Sequence, residues 1–183
     1  MPRTRLALCF SILLAACSSS PEKKPTMLMA DWMTPTEQHK EIVTGAGDWE
    51  GTLTMYGENA TPQPIPVKET VEAVGPFWIQ TKFTCDFMGM PYHGTGCVGY
   101  DPATQKYVGT WVDSMTSYFA WMEGRKDSSG KLVLHWMAPD ETTGEPVLHR
   151  SESSETADAR VMTFYKGEGA GTKTMVIETM RKK

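Results

Sequence analysis

The chain has no excess of basic charge. Its 18 Lys and Arg stand against 22 Asp and Glu, for a net charge of −4. A nucleic-acid binder needs a basic footprint, so no nucleic-acid partner is expected. No Gly-x-Ser-x-Gly elbow presents a serine nucleophile, and no Gly-x-x-x-x-Gly-Lys-Ser/Thr loop offers a phosphate cradle. Gly167-Glu168-Gly169-Ala170-Gly171 is glycine-rich, but strand residues follow it, whereas an anion cradle opens a helix. There is no Cys-x-x-Cys pair, and His39, His93, His135 and His149 have no close ligand spacing, so no zinc site is expected. No repeat of 20–50 residues is present. No catalytic residue stands out and no cofactor is implied. With 183 residues and 40% apolar content, one globular domain with a real core is the expectation.

The one long apolar run is near the start. Arg3 and Arg5 precede Leu6 to Ala16, 11 residues that are too short to cross about 30 Å of hydrocarbon as a helix. The pattern is that of a secretory signal, residues 1–16. It ends in Leu14-Ala15-Ala16-Cys17, which resembles a bacterial lipobox. Cys17 is then the lipidation site and the membrane is a partner through its acyl chains, since two or more chains anchor stably. Ser18 in place of Asp after the cysteine directs the expectation to the outer membrane, facing the periplasm. Cleavage would remove two arginines and take the net charge to −6. Residues 17–33 are rich in Ser, Pro, Lys and Met without periodicity and read as a flexible tether. The folded domain is expected over 34–183.

Once Cys9 and Cys17 are set aside, Cys85 and Cys97 remain. Outside the cytoplasm such a pair is a disulfide candidate. A hairpin centred near Pro91 would bring the two opposite each other. The alternative is two reduced thiols on neighbouring strands. Met88, Met90 and His93 combine soft sulfur with imidazole, the ligand set that Cu(I) prefers. The competing reading is that 13 methionines make such groupings common and that Met fills irregular gaps. No metal is expected.

Thr34-Pro35-Thr36-Glu37 has the pattern of a helix start, with the helix ending near Gly45. Everything beyond reads as about ten short strands with turn residues between them. Phe77, Ile79, Phe83, Cys85 and Phe87 share one parity, and Trp78, Gln80, Lys82, Thr84 and Asp86 the other. This is a strand with one apolar face. No connection is long enough for a crossover helix. The pattern predicts an all-β domain, an antiparallel up-and-down barrel of eight to ten strands with a short N-terminal helix. Closure removes exposed edges.

Gly47-Asp48-Trp49-Glu50-Gly51 resembles the Gly-x-Trp opening of the calycin barrels, the group that includes lipocalins. Gly99-Tyr100-Asp101, the block Tyr107 to Met115 with Trp111 and Asp113, the pair Glu123-Gly124, Gly130-Lys131-Leu132 and the ending Glu178 to Lys182 resemble the bacterial domain of unknown function 1579 family. The likeness covers residues 34–183. It implies a lipocalin-like barrel and no assigned activity. It also implies that Trp49 plugs one end of the barrel with Arg181 across its face, a stacked pair.

Tyr107, Gly109, Trp111 and Asp113 share one strand face. If that face is interior, it forms an aromatic wall with a polar anchor, the usual make-up of a pocket. Trp78, Tyr100, Trp111 and Trp136 are then the expected wall, with Asp113 or His93 as anchor for a small apolar or amphipathic ligand. The alternative is a filled barrel acting through its outer surface as an interaction module in the envelope.

Overall fold

The computed structural model describes residues 26–57, 61–87 and 89–183. The signal segment, Cys17 and Met88 lie outside the described residues. Ten strands follow one another: β1 (Gly47–Met55), β2 (Pro64–Val74), β3 (Trp78–Phe87), β4 (Met90–Asp101), β5 (Lys106–Asp113), β6 (Ala120–Lys126), β7 (Leu132–Pro139), β8 (Pro146–Glu155), β9 (Ala159–Lys166) and β10 (Thr172–Arg181). Each pairs antiparallel with its sequence neighbours, and β1 pairs with β10 to close the barrel. Every backbone edge is thereby used, as the up-and-down reading requires.

The pleat decides which side chains enter. Residues paired across an antiparallel ladder share a face. The register Trp49↔Glu69, Glu69↔Phe83 and Phe83↔Gly94 carries one level of the interior across four strands. The apolar parity of β3 therefore faces inward. Leu53, Val67, Phe83 and Ile177 form a buried cluster, with Trp111, Met162 and Phe164 packed against it. Two inward positions are glycine because a neighbouring backbone lies too close for a side chain. A Cβ at Gly51 would come within 1.8 Å of the Glu178 carbonyl oxygen, and one at Gly124 within 1.8 Å of the Val133 carbonyl oxygen. Such positions let a tight barrel turn its corners.

One end of the barrel is stoppered. A single helical turn, α1 (Met29–Trp32), falls inside the segment read as a tether and leads into α2 (Glu37–Val43). The N-cap of α2 is Thr36, the third residue of the Thr34-Pro35-Thr36-Glu37 start pattern. His39 holds that cap. Its Nδ1 accepts the Thr36 backbone N–H at 3.0 Å, and its Nε2 donates to the Tyr100 carbonyl at 2.9 Å. Both ring nitrogens of this buried imidazole are thus satisfied, and the ring packs edge-on to Phe77 and Tyr100. Beneath the helix Trp49 is fully buried, at 0% exposure, with its indole N–H on the Gly45 carbonyl at 3.1 Å. The Arg181 guanidinium lies 4.3 Å from the Trp49 ring and donates to the carbonyls of Thr44, Ala46 and Ala157.

The Cys85–Cys97 bridge is not formed, and both thiols are free. The β3–β4 ladder runs to the pair Phe87↔Met90, so the hairpin does not turn at Pro91, which pairs with Asp86 inside the ladder. Asp86 accepts the Gly89 N–H at 2.6 Å, and Gly89 takes the left-handed φ of +83° that the turn needs. Cys85 therefore faces Tyr92, while Cys97 faces Gln80. Five residues of β4 separate the two levels, roughly 17 Å at strand rise, and the side chains point to opposite sides.

Candidate functional site

The barrel is stoppered below but not filled above. A cavity of about 410 Å³ occupies its interior, within the range of small-molecule sites. Its reach along the barrel follows from its lining, from Glu69, Glu155 and Arg160 at the α2 end to Met55, Phe87 and Met115 at the other. A second depression, about 690 Å³, lies between α2 and the β6–β7 and β8–β9 turns; it shares Ile79, Val98, Leu132, Ser153 and Glu155 with the first.

Trp111 explains how the upper interior stays open. A Cβ on Gly94 would fall 2.2 Å from Trp111 Cζ2, and one on Gly96 would fall 2.8 Å from its Cε3. The indole thus lies flat on bare β4 backbone and does not span the lumen. Its Nε1 donates to the Tyr92 hydroxyl at 3.3 Å, and Phe83 meets it edge-on. Burial pushes the Tyr92 phenol up to about 12. Across the cavity Trp136 stacks on His149 and meets Phe164 edge-on. His149 Nε2 is buried without a hydrogen-bond partner among the described residues, and burial is the main cause of its lowered pKa.

Trp111 and Trp136 therefore both line the cavity, from different strands. The other expected wall and anchor residues do not. Trp78 pairs with Gly99 on the outer parity, covers that glycine with its ring and is 40% exposed. Tyr100 has the inward parity but sits at the stoppered end against His39 and Tyr107. His93 is exposed on the outer parity, and its backbone N–H is held by Ser114 Oγ. Asp113 faces inward at the last position of β5, where its Oδ1 accepts the N–H groups of Met115 and Thr116 and starts the next loop. It orders backbone and does not line the cavity. Met90 and His93, three residues apart, fall on opposite faces of β4. Among the described residues no cluster of three or more His, Cys, Asp or Glu could hold a metal.

The polar group of the cavity is one that spacing did not reveal. Arg160 on β9 is 7% exposed and Glu69 on β2 is 4% exposed. Arg160 Nη1 donates to Glu69 at 2.8 Å, Nε to Glu155 at 2.7 Å and Nη2 to the Gly45 carbonyl at 3.4 Å. The guanidinium also lies 4.4 Å from the Trp49 ring, so two arginines lie against that indole. Burial raises the Glu69 carboxyl above its ordinary range, against the pull of Arg160. A signal was present: Glu69 interrupts the inward series Ile65, Val67, Val71, and Arg160 begins the inward series that continues with Met162 and Phe164. A charge at an apolar parity marks a buried pair.

The family model for a protein of unknown function (DUF1579) matches residues 34–183. The chain belongs to that family. No curated protein matches it.

Proposed function

We propose that this DUF1579-family protein binds a small apolar or amphipathic molecule inside its barrel, as a lipocalin-like module held in the cell envelope by lipid on Cys17. The observation that carries the reading is the open interior: a cavity of about 410 Å³ with mostly apolar walls, Trp111 laid flat against one side, and charged groups only at its floor. Apolar walls with a few convergent polar groups are the usual composition of a ligand site. The envelope part of the reading is supported by the arginines, the short apolar run and the lipobox-like residues before Cys17.

Native mass spectrometry tests it. The chain is exported with Cys17→Ala behind a cleavable signal and purified without refolding. A bound mass that leaves on denaturation is the expected result; a clean apo mass that takes up nothing from an envelope extract would overturn the ligand reading. For the anchor, the unaltered chain should sediment with membranes and the Cys17→Ala chain should not.

A second reading, an interaction module acting through the barrel's outside, is favoured by one surface feature. Met115, Phe119 and Trp121 are 46%, 56% and 56% exposed around the β5–β6 loop. Clustered exposed apolar residues of this kind mark contact sites. Phe119→Ser with Trp121→Ser would remove that surface and leave binding inside the barrel intact.

A further inference from the structure

We propose that the barrel cavity selects an amphiphile with a cationic, hydrogen-bond-donating head, such as a primary ammonium, seated on the Glu69–Arg160–Glu155 floor with its apolar tail toward Met55 and Phe87. The inference rests on the ligand-binding reading and names the chemistry that the site takes.

The lining offers a head group more negative than positive charge. Arg160 is the cation of the cavity lining, and it is held between Glu155 and Glu69, with the Gly45 carbonyl on Nη2. The two carboxylates are not used up by that arrangement. Glu69 and Glu155 each give one oxygen to Arg160, and the second oxygen of each has no hydrogen bond among the described residues. The remaining described lining residues are uncharged, so the lining carries one positive and two negative charges. Ser151 and Ser153 add hydroxyls on the same floor. Apolar walls screen little, and a charge imbalance set among them acts strongly on a bound head group.

Charges outside the lining do not reverse the sign. Lys126 is paired with Glu41 on α2, beside the second depression. Arg181 borders that depression too and keeps its charge, but it lies outside the cavity lining, held by the carbonyls of Thr44, Ala46 and Ala157 against the face of Trp49. The tail end of the cavity is apolar at Met55, Phe87 and Met115.

The test uses the exported Cys17→Ala chain with decylammonium, decanol and decanoate at neutral pH, the ions below their micelle-forming concentrations and decanol below its solubility limit. Binding is followed by titration calorimetry and by intrinsic tryptophan fluorescence. Decylammonium should bind at least about tenfold tighter than decanoate, with decanol between them. Glu155→Gln, a change at the partly exposed member of the triad, should bring decylammonium down to the level of decanol. Ser153→Trp, which fills the floor, should abolish binding of all three, so that attraction of the cation to the acidic surface is told apart from binding inside. Decanoate equal to or tighter than decylammonium would overturn the head-group inference and leave the cavity reading standing. Decylammonium binding that survives Ser153→Trp would also overturn it. Failure of all three probes to bind would overturn the cavity reading and this inference with it.

Discussion

Arg160→Met should be among the most destabilising single changes in the barrel, and the companion change Glu69→Gln should relieve most of the loss. Arg160 and Glu69 are buried and joined at 2.8 Å. Removing the arginine leaves Glu69 in the interior with Glu155 as a like-charged neighbour. Breaking a buried pair from one side costs roughly 3–5 kcal/mol, whereas replacing both partners by neutral groups is often close to neutral. For a domain of this size that loss lowers Tm by about 10 °C. Glu69→Gln alone leaves Arg160 its Glu155 partner at 2.7 Å and should cost less, about 1–3 kcal/mol. The double variant should then be more stable than Arg160→Met alone, by at least about 1 kcal/mol in a double-mutant cycle. The pH dependence supplies a second reading of the same group. The folded-state pKa of Glu69 is raised above its ordinary 4.5 by burial, against the pull of Arg160. The native state therefore holds a proton that the unfolded chain has released, and stability falls as pH rises through that window. Without Arg160 the window widens upward, so the penalty of Arg160→Met should be smaller at pH 4.5 than at pH 7. Urea melts followed by circular dichroism measure both. A loss below about 1 kcal/mol, or an equal loss in the single and double variants, would refute the claim that the floor is a charge-paired plug.

Gly124→Ala should lower Tm by several degrees, because its Cβ would meet the Val133 carbonyl oxygen at 1.8 Å and backbone cannot step aside; overpacking of this kind costs about 1–3 kcal/mol. Gly94→Ala meets only the far edge of Trp111, at 2.2 Å, so the indole should swing into the lumen, with a small change in Tm and a large loss of ligand uptake by native mass spectrometry. Thiol titration of the unfolded, unreduced Cys17→Ala chain should find Cys85 and Cys97 both reactive, and a mass two hydrogens light would contradict the β3–β4 register. Burial pushes the phenols of Tyr92 and Tyr107 up to about 12, so in an ultraviolet titration they should ionise after the exposed tyrosines, and the stability they contribute, intact below pH 10, should be lost as pH climbs toward 12.

Strand alternation made the architecture legible because inside and outside differ at every second residue. The ten strands and the inward face of β3 follow from that period alone. The same alternation places Trp78 outside, on the parity of Gln80 and Lys82, so aromatic content alone does not assign a residue to the wall. Asp86 and Gly89 carry the turn chemistry between β3 and β4, whereas Pro91 sits inside the ladder, and only a turn centred on Pro91 would set Cys85 opposite Cys97. Asp113 shows the limit of composition: a carboxylate on an interior face can still spend itself on backbone N–H groups at a strand end. The floor was out of reach for a different reason. Glu69 and Arg160 are 91 residues apart, and no local spacing joins them. Only barrel closure, β1 pairing with both β2 and β10, brings their strands to one level beside Trp49.

That closure divides the barrel along its axis into two parts with different tasks. Around Trp49 the α2 end is packed and charge-paired, with two arginines against the indole, His39 satisfied at both nitrogens, and Thr179 and Tyr107 buried; the second depression opens beside this plug. The other end is lined but hollow, and bare glycine backbone on β4 takes the bulk of Trp111. A substitution that loosens the packed end should change stability first, and one that fills the hollow end should change binding first. Glu155 belongs to both: it holds Arg160 from the packed side and faces the cavity with a partly exposed carboxylate. It is therefore the residue at which a bound head group and the stability of the stopper are coupled. A ligand that donates to Glu155 should raise Tm beyond what its tail alone confers, because whatever binds only the native state stabilises it.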